Sequence, residues 1–521
     1  MEHVMDDVRR ADLRSAQQSV GRFPRWADVL QAILVLVSAV QIARCSGKPW
    51  VWVALASVVP LARFCGVAAY RRRVVAWVGQ VWASAEAFAA EPVRLPWRAA
   101  VLLVVLPAVL FFLSQTRPIR TGDSKPVTLT ASSLVCERSS DLSPYVSLWQ
   151  TANYFNAANE LPYFFLQTPH GIYSHYPSGM VVFALPPTAL ARLLGADLHK
   201  IRTQDHLEKA IASALAAVCL GLFFLLALHV VDARSAWLTT LLLAVGSALC
   251  STIGQALWQH GGVVFWLLLA LLVEFRTWRR HGGTSVLLQG VALAMMFACR
   301  MSSALLILPF GLWILRRAPR RALLVGLVAA VAYLPWAWYY RSLYGTALGP
   351  QVGQAIGFTW NWREALLPIL IGPDHGLIVY QPWILLGLAA CVPAVRRLLP
   401  VGEPADLPNG WRWACVSAIG LHLALIASWN CWWGGDCWGS RLATETVPLF
   451  ALLCLRPIAA LRRLAWGRRA VLATAVLAAV LHLTGVYLKA DYQAVQRGIF
   501  THCPAQPGSW ENLPFLTPFI R

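Results

Sequence analysis

Charged side chains are scarce in this 521-residue chain. Asp, Glu, Lys and Arg make up 13% of it, about half the quarter found in soluble domains, which excludes an ordinary water-soluble globule. Acidic residues are the scarcer sign, 24 against 44 Lys and Arg. No Asp-x-Asp pair occurs, so a metal-bound nucleotide sugar has no carboxylate clamp. A Walker phosphate loop and a dinucleotide fingerprint after a strand are both missing. The twelve Cys lack metal-ligand spacing, which argues against a zinc site; several fall inside apolar runs as small core residues. The polar stretch Met1–Arg25 carries no signal-peptide pattern, so the first apolar run is expected to stay in the membrane. Neither an internal repeat nor a low-complexity region stands out.

Apolar runs are what the chain has in quantity. Hydrophobic residues reach 58%, with 25 Trp, and the runs recur along the whole length. About twenty apolar residues cross a bilayer as a helix, because the backbone must satisfy its own polar groups there. The alternation of a membrane β-barrel is absent. The pattern therefore predicts an all-α polytopic membrane protein of about 13 spans. They fall near 27–43, 50–69, 99–113, 209–230, 236–254, 261–275, 285–299, 302–315, 322–340, 379–395, 413–429, 442–455 and 470–487.

The net charge of +20 raises the question of nucleic acid, but the arginines lie in short loops between spans. Cytoplasmic loops of membrane proteins collect Lys and Arg. With the N-terminus inside, the cytoplasmic pieces hold 26 of the 44 Lys and Arg, although the outer pieces are nearly twice as long. That bias sets the orientation and makes nucleic acid an unneeded partner. Two assignments support it. Gly179–Gly195 is apolar enough to span, but Pro186-Pro187 at its centre would break an isolated spanning helix, so it reads as a helix along the outer interface. Residues 285–315 read as two short helices that turn at Arg300-Met301-Ser302-Ser303. The organisation is then an N-terminal segment with two extra spans (1–98), a transmembrane core (99–455) that includes the outer loop 114–208, and a last span with an outer tail (456–521).

Three outer features carry candidate chemistry. Gly122-Asp123 follows a span at the start of the longest polar stretch, which also holds Lys125, Glu137, Asp141, His170, His175 and Tyr176-Pro177-Ser178-Gly179. A carboxylate at an outer mouth suits a general base, provided it stays ionised and reaches an acceptor hydroxyl. Burial near lipid would raise its pKa and a neighbouring cation would lower it. An exposed loop Asp is the bland alternative. The second feature is the loop Asn430-Cys431-Trp432-Trp433-Gly434-Gly435-Asp436-Cys437-Trp438-Gly439-Ser440-Arg441. An aromatic belt explains its tryptophans; the glycines permit a close backbone turn, and Arg441 is placed to clasp phosphate. Cys431 and Cys437 face an oxidising compartment, where pairing is open to them. The third is a set of polar residues at span ends: Gln255, Trp258-Gln259-His260, Arg300, Arg341 and Asp374-His375. Ionisable groups at membrane depth face a cavity or a partner. A hairpin cap for Arg300 and a structural hydrogen bond for His260 are the alternatives.

In order along the chain, Gly122-Asp123, Tyr176-Pro177-Ser178-Gly179, Leu257-Trp258-Gln259-His260-Gly261, Gly372-Pro373-Asp374-His375-Gly376-Leu377 and Trp432-Trp433-Gly434-Gly435 with Arg441 resemble the GT-C superfamily of integral-membrane glycosyltransferases. The resemblance is to the bacterial branch related to dolichyl-phosphate-mannose protein mannosyltransferases and lipid A aminoarabinose transferases. It spans residues 99–455. It implies a GT-C-like fold, a polyprenyl-phosphate-linked sugar as donor and an outer-face acceptor that is protein, lipid or glycan. Asp123 falls on the family's catalytic position as general base. Arg441, with Arg300 or Lys125, would steady the leaving phosphate, and Lys125, His175, Tyr176, His260, Arg300, Asp374, His375, Trp433 and Arg441 form the implied substrate-binding set. No cofactor or metal is implied, since fixed cations can supply the charge. The implied location is the cytoplasmic membrane with the site facing outward. Ser178 departs from the pattern, standing where relatives often have a second proline, and two extra spans precede the usual first helix. Transport or flipping of a lipid-linked glycan, or a non-catalytic assembly role, are the alternative functions.

Overall fold

A computed structural model describes residues 104–114, 122–150, 161–279, 282–350, 362–373, 375–392, 410–434 and 437–502, plus a few isolated positions. The expected spans 27–43 and, apart from Ala68, 50–69 lie outside the described residues, as does Asp374. The chain divides into two compact units, one of residues 1–99 with 113–117 and one of 100–112 with 118–521. The second unit holds the elements discussed here.

The described chain is mostly helical. Five of its helices are long and apolar enough to cross a membrane: Ile201–Ala227, Gln259–Thr277, Pro319–Tyr344, Arg441–Leu461 and Ala465–Val486. In chain order the helices are α1 (Leu106–Leu113), α2 (Lys125–Cys136), α3 (Val146–Gln150), α4 (Val181–Leu193), α5 (Ile201–Ala227) and α6 (Ala233–Val245). Then come α7 (Gln259–Thr277), α8 (Gly283–Cys299), α9 (Ala304–Arg317), α10 (Pro319–Tyr344) and α11 (Trp362–Ile371). The last are α12 (Leu377–Tyr380), α13 (Ile384–Cys391), α14 (Trp411–Ala427), α15 (Val447–Leu461) and α16 (Ala465–His502). Helix α7 packs between α5 and α8, α8 packs on α10, α9 on α14, and α13 on α15.

Local chemistry sets several boundaries. Asp232 caps α6 by accepting the Ser235 amide at 3.1 Å, satisfying a donor the helix leaves open. Helix α10 begins on Pro319, whose missing N–H costs nothing at a first turn, and ends on Gly345 in the left-handed conformation (φ 73°). The 285–315 run divides at Arg300, which is extended (φ −162°, ψ 123°) between α8 and the 3-10 turn Met301–Ser303. Pro186 and Pro187 lie inside the 13-residue α4. Gly179 lets the turn before α4 approach the end of α8: a Cβ there would meet the Ala298 and Cys299 backbone at 2.4 Å. The neighbouring Ser178 amide donates to Tyr340 Oη at 2.8 Å, a bond that a proline at 178 would forfeit.

The all-α expectation needs one correction. Phe165–Thr168 (β1) and Gly171–Ser174 (β2) form an antiparallel hairpin, Phe165 opposite Ser174. Four-residue strands are too short for a period-2 pattern to stand out. A carboxylate closes the hairpin: Asp141 Oδ1 accepts the Ile172 amide at 3.0 Å, the Ser143 amide at 3.1 Å and the Ser143 hydroxyl at 2.7 Å. The ladder continues through the His175 amide, which donates to the Phe164 carbonyl at 2.9 Å.

Candidate functional site

The hairpin matters because of what flanks it. Tyr163 precedes β1 and Tyr176 follows β2, so pairing the strands returns both phenols to one place. Both donate to Asp123 Oδ1, at 2.8 Å from Tyr163 and 2.7 Å from Tyr176. Asp123 sits in a 3-10 turn, Gly122–Ser124, just ahead of α2. Gly122 makes the approach possible: a Cβ there would stand 2.4 Å from the Phe164 ring and 2.6 Å from Tyr163 Oη. The Asp123 side chain keeps about a fifth of its surface exposed, 22%, so it is reachable.

The other carboxylate oxygen is held by Arg441. Its Nη1 donates to Asp123 Oδ2 at 2.7 Å, across 318 residues of sequence. Nη2 donates to the Gly434 carbonyl, and the guanidinium lies 4.2 Å over the Trp258 ring, a cation–π contact. Gly434 is left-handed (φ 79°), a conformation glycine adopts without Cβ strain. Burial alone would push the Asp123 carboxyl up. The Arg441 charge and the hydrogen bonds from Tyr176, Tyr163 and Arg441 outweigh it, holding the carboxyl below its ordinary value. Both phenols are pushed up, by burial first and the Asp123 charge second, so they remain donors.

A second cluster shares the segment that carries Arg441. The 3-10 helix Arg441–Thr446 also presents Glu445, which is fully buried. Glu445 Oε1 accepts Arg300 Nη1 at 2.9 Å and stands 2.9 Å from His260 Nδ1. Its Oε2 lies 3.1 Å from His422 Nε2. Arg300 Nη1 is also 2.8 Å from His260 Nδ1, so that nitrogen either donates to Glu445 or accepts from Arg300, according to tautomer. Among the described residues no group of three or more His, Cys, Asp or Glu is arranged to hold a metal ion.

Lys125 takes a different place from the phosphate-facing one expected of it. It is buried, and Nζ donates to Asp205 Oδ1 at 2.7 Å and Glu208 Oε2 at 2.5 Å. Burial would lower its pKa, but the charges of Glu208 and Asp205 dominate and raise it. Glu208 Oε1 also accepts the Leu257 amide at 3.2 Å. One carboxylate therefore ties the residue two beyond Asp123 to the residue before Trp258, fixing both floors on which Arg441 rests. Nearby, Lys209 donates to Gln255 Oε1 and, at 3.2 Å, to the Gly254 carbonyl.

The other sequence candidates are distributed around these clusters. The partly exposed His175 ring lies 5.4 Å from that of Tyr176. His375 is buried; its carbonyl accepts the Ser440 hydroxyl and its ring is 6.4 Å from Trp432. Trp433 stands edge-on to Trp432 at 5.7 Å, and its carbonyl accepts Cys437 Sγ at 3.4 Å. Neither Cys431 nor Cys437 is in a disulfide. Glu137 and Asp141 do not join Asp123: Glu137 is 3.7 Å from His199, and Asp141 closes the hairpin. Sequence reasoning missed Tyr163, Glu445, His422, Asp205 and Glu208. Of these, Asp205 and Glu208 left a signal, since two carboxylates at i,i+3 opening an apolar helix demand a buried cation.

No family model matches the chain, and no curated protein matches it. Solved structures of archaeal oligosaccharyltransferase are similar to it at a low level. The Archaeoglobus fulgidus oligosaccharyltransferase in the apo form aligns with a TM-score of 0.45 and 14% identity, over 76% of this chain and 56% of that one. AglB from the same organism, in complex with an inhibitory peptide and a dolichol-phosphate, aligns with a TM-score of 0.43 and 14% identity, over 76% and 55%. This chain thus spans little more than half the length of those proteins.

Proposed function

We propose that this chain is a GT-C-type glycosyltransferase of the cytoplasmic membrane. It moves a sugar from a polyprenyl-phosphate carrier to an acceptor on the outer face. The observation that supports this reading best is the Asp123–Arg441 pair, a carboxylate and a guanidinium 2.7 Å apart at a partly exposed position. The two residue types meet the two needs of the reaction. A hydroxyl must lose its proton as it attacks the anomeric carbon, and phosphate must leave with its charge stabilised.

The pair also explains how the base is switched on. With Arg441 on Asp123, the carboxylate is a weak base. A donor phosphate drawing the guanidinium away removes the largest lowering influence and leaves the burial that raises the pKa. Asp123 then accepts the acceptor hydroxyl's proton. The hydroxyl oxygen bonds to the anomeric carbon, the bond from that carbon to the phosphate oxygen breaks, and polyprenyl phosphate departs on Arg441 with inversion. Arg300 and His260 back Arg441 through Glu445. Tyr176, His175, Asp374, His375 and Trp433 are assigned to binding donor or acceptor. Lys125 acts from beneath, through Glu208.

The test is transfer of a labelled sugar from membrane lipid extract by the purified protein, beside Asp123→Asn. Wild-type transfer reduced about 10²–10⁴-fold in Asp123→Asn, with lipid-linked sugar still bound, supports the assignment. Undiminished transfer by Asp123→Asn removes the base. No transfer by either form, with binding retained, favours transport or a scaffold role.

A further inference from the structure

The run Arg316-Arg317-Ala318-Pro319-Arg320-Arg321 takes no part in the site above. It joins α9 to α10 beside the far end of α7, about 26 Å along that helix from His260 at 1.5 Å per residue. A cavity of about 350 Å³ opens there, lined by Glu274, Trp278, Ile314, Arg317, Ala318 and Arg321. Glu274 is already neutralised. Its Oε2 takes Arg321 Nη2 at 2.8 Å and Gln289 Nε2 at 3.2 Å. Arg317 is left with capacity. Its Nη1 is buried, stands 3.7 Å from Glu274 Oε1 and has no hydrogen-bond acceptor among the described residues. Its guanidinium is held 5.2 Å from the Trp278 ring and 4.9 Å from Trp313. Arg279 also lies over the Trp278 ring, at 4.9 Å.

A second cavity of about 560 Å³ shares Ala318 and Arg321 with the first and continues along α8 and α10 past Val286, Leu287, Leu324 and Val328. Its walls are apolar beyond the arginines. Helix α10 also exposes Leu323, Leu327, Val331 and Leu334, as a helix facing hydrocarbon does. The two cavities together offer an anion seat that runs into an apolar groove. A phosphate ion would answer Arg317 and leave the apolar groove without an occupant of its own; a neutral apolar ligand would leave the Arg317 Nη1 donor unanswered. We infer that this is a binding site for an anionic phospholipid, its phosphodiester on Arg317, Arg320 and Arg321 and an acyl chain along the α8–α10 groove. Basic pockets between membrane helices seat such headgroups, and guanidinium matches phosphate in geometry and charge. The site is separate from Asp123 and does not rest on the proposed reaction.

The experiment uses the full chain in detergent micelles titrated with phosphatidylglycerol, phosphatidylcholine or inorganic phosphate, with bound lipid counted by native mass spectrometry. Two variants separate headgroup from chain. Arg317→Gln removes the open donor while sparing the Glu274–Arg321 pair. Gly283→Trp puts a ring into the groove, since a Cβ at Gly283 meets nothing within 4 Å. Circular dichroism and thermal unfolding confirm that each is folded. Preferential binding of phosphatidylglycerol, weakened about fivefold by Arg317→Gln and also by Gly283→Trp, is the expected result. Equal binding of phosphatidylcholine overturns the headgroup assignment. Phosphate competing with phosphatidylglycerol, with Gly283→Trp silent, overturns the lipid assignment in favour of a simple anion site.

Discussion

Replacing Asp123 by Asn leaves Arg441 without its counter-charge in a site where only 10% of the Arg441 side chain is exposed. Removing one partner of a fully buried pair costs about 3–5 kcal/mol. The 22% exposure of the Asp123 side chain admits water on one side, which reduces the cost to about 2–3 kcal/mol. Arg441→Gln strands the carboxylate instead, but Tyr163 and Tyr176 still donate to it, so its cost is about 1–2 kcal/mol. The double variant holds two neutral amides and lacks the stranded charge that each single variant carries. The cycle should show a coupling of about 2 kcal/mol, read from unfolding in mixed micelles of increasing SDS fraction. Additivity within about 0.5 kcal/mol would refute the pair as an energetic unit. The pH dependence has a defined sign. The folded pKa of Asp123 lies below its unfolded value, so the contribution is fully present above the ordinary carboxylate pKa, about 3.9. It is lost as pH falls through the lowered value.

Tyr163→Phe removes one hydrogen bond that holds the Asp123 carboxyl down, so the acid limb of the activity profile should move to higher pH; an unmoved limb would show that the phenol does not tune the carboxylate. Tyr163 is half exposed, so the stability change should stay within about 1 kcal/mol. Gly122→Ala places a Cβ 2.4 Å from the Phe164 ring and should cost about 1–3 kcal/mol of overpacking, seen as a lower Tm; an unchanged Tm would mean that the hairpin gives way freely.

Sequence reasoning named Asp123 and Arg441 separately. Nothing local joins them, because their contact crosses 318 residues and depends on how α5, α7 and α15 pack. The break at Arg300 was legible because a charge between two apolar runs cannot continue a lipid-facing helix cheaply. Tyr163 was invisible: it stands in the short apolar run Leu161–Leu166 without a motif, and only the pairing of two four-residue strands returns it to Asp123. For Lys125 the resemblance implies a phosphate-facing role, two residues from Asp123. Side chains two residues apart need not share a direction, and the burial of Lys125 was decided by Asp205 and Glu208, eighty or more positions away.

Arg441 and Glu445 ride on one short 3-10 segment, and that fixes a tolerance. Such a helix turns about 120° and rises about 2.0 Å per residue. Inserting or deleting a single residue between them would swing one side chain a third of a turn from its partner while the other stayed put. Asp123 or Arg300 would then lose its opposite charge, although every residue needed for either contact was still encoded. The interval between Arg441 and Glu445 is therefore as much a constraint as their identities. A one-residue indel there would be more damaging than most substitutions of the residues in between.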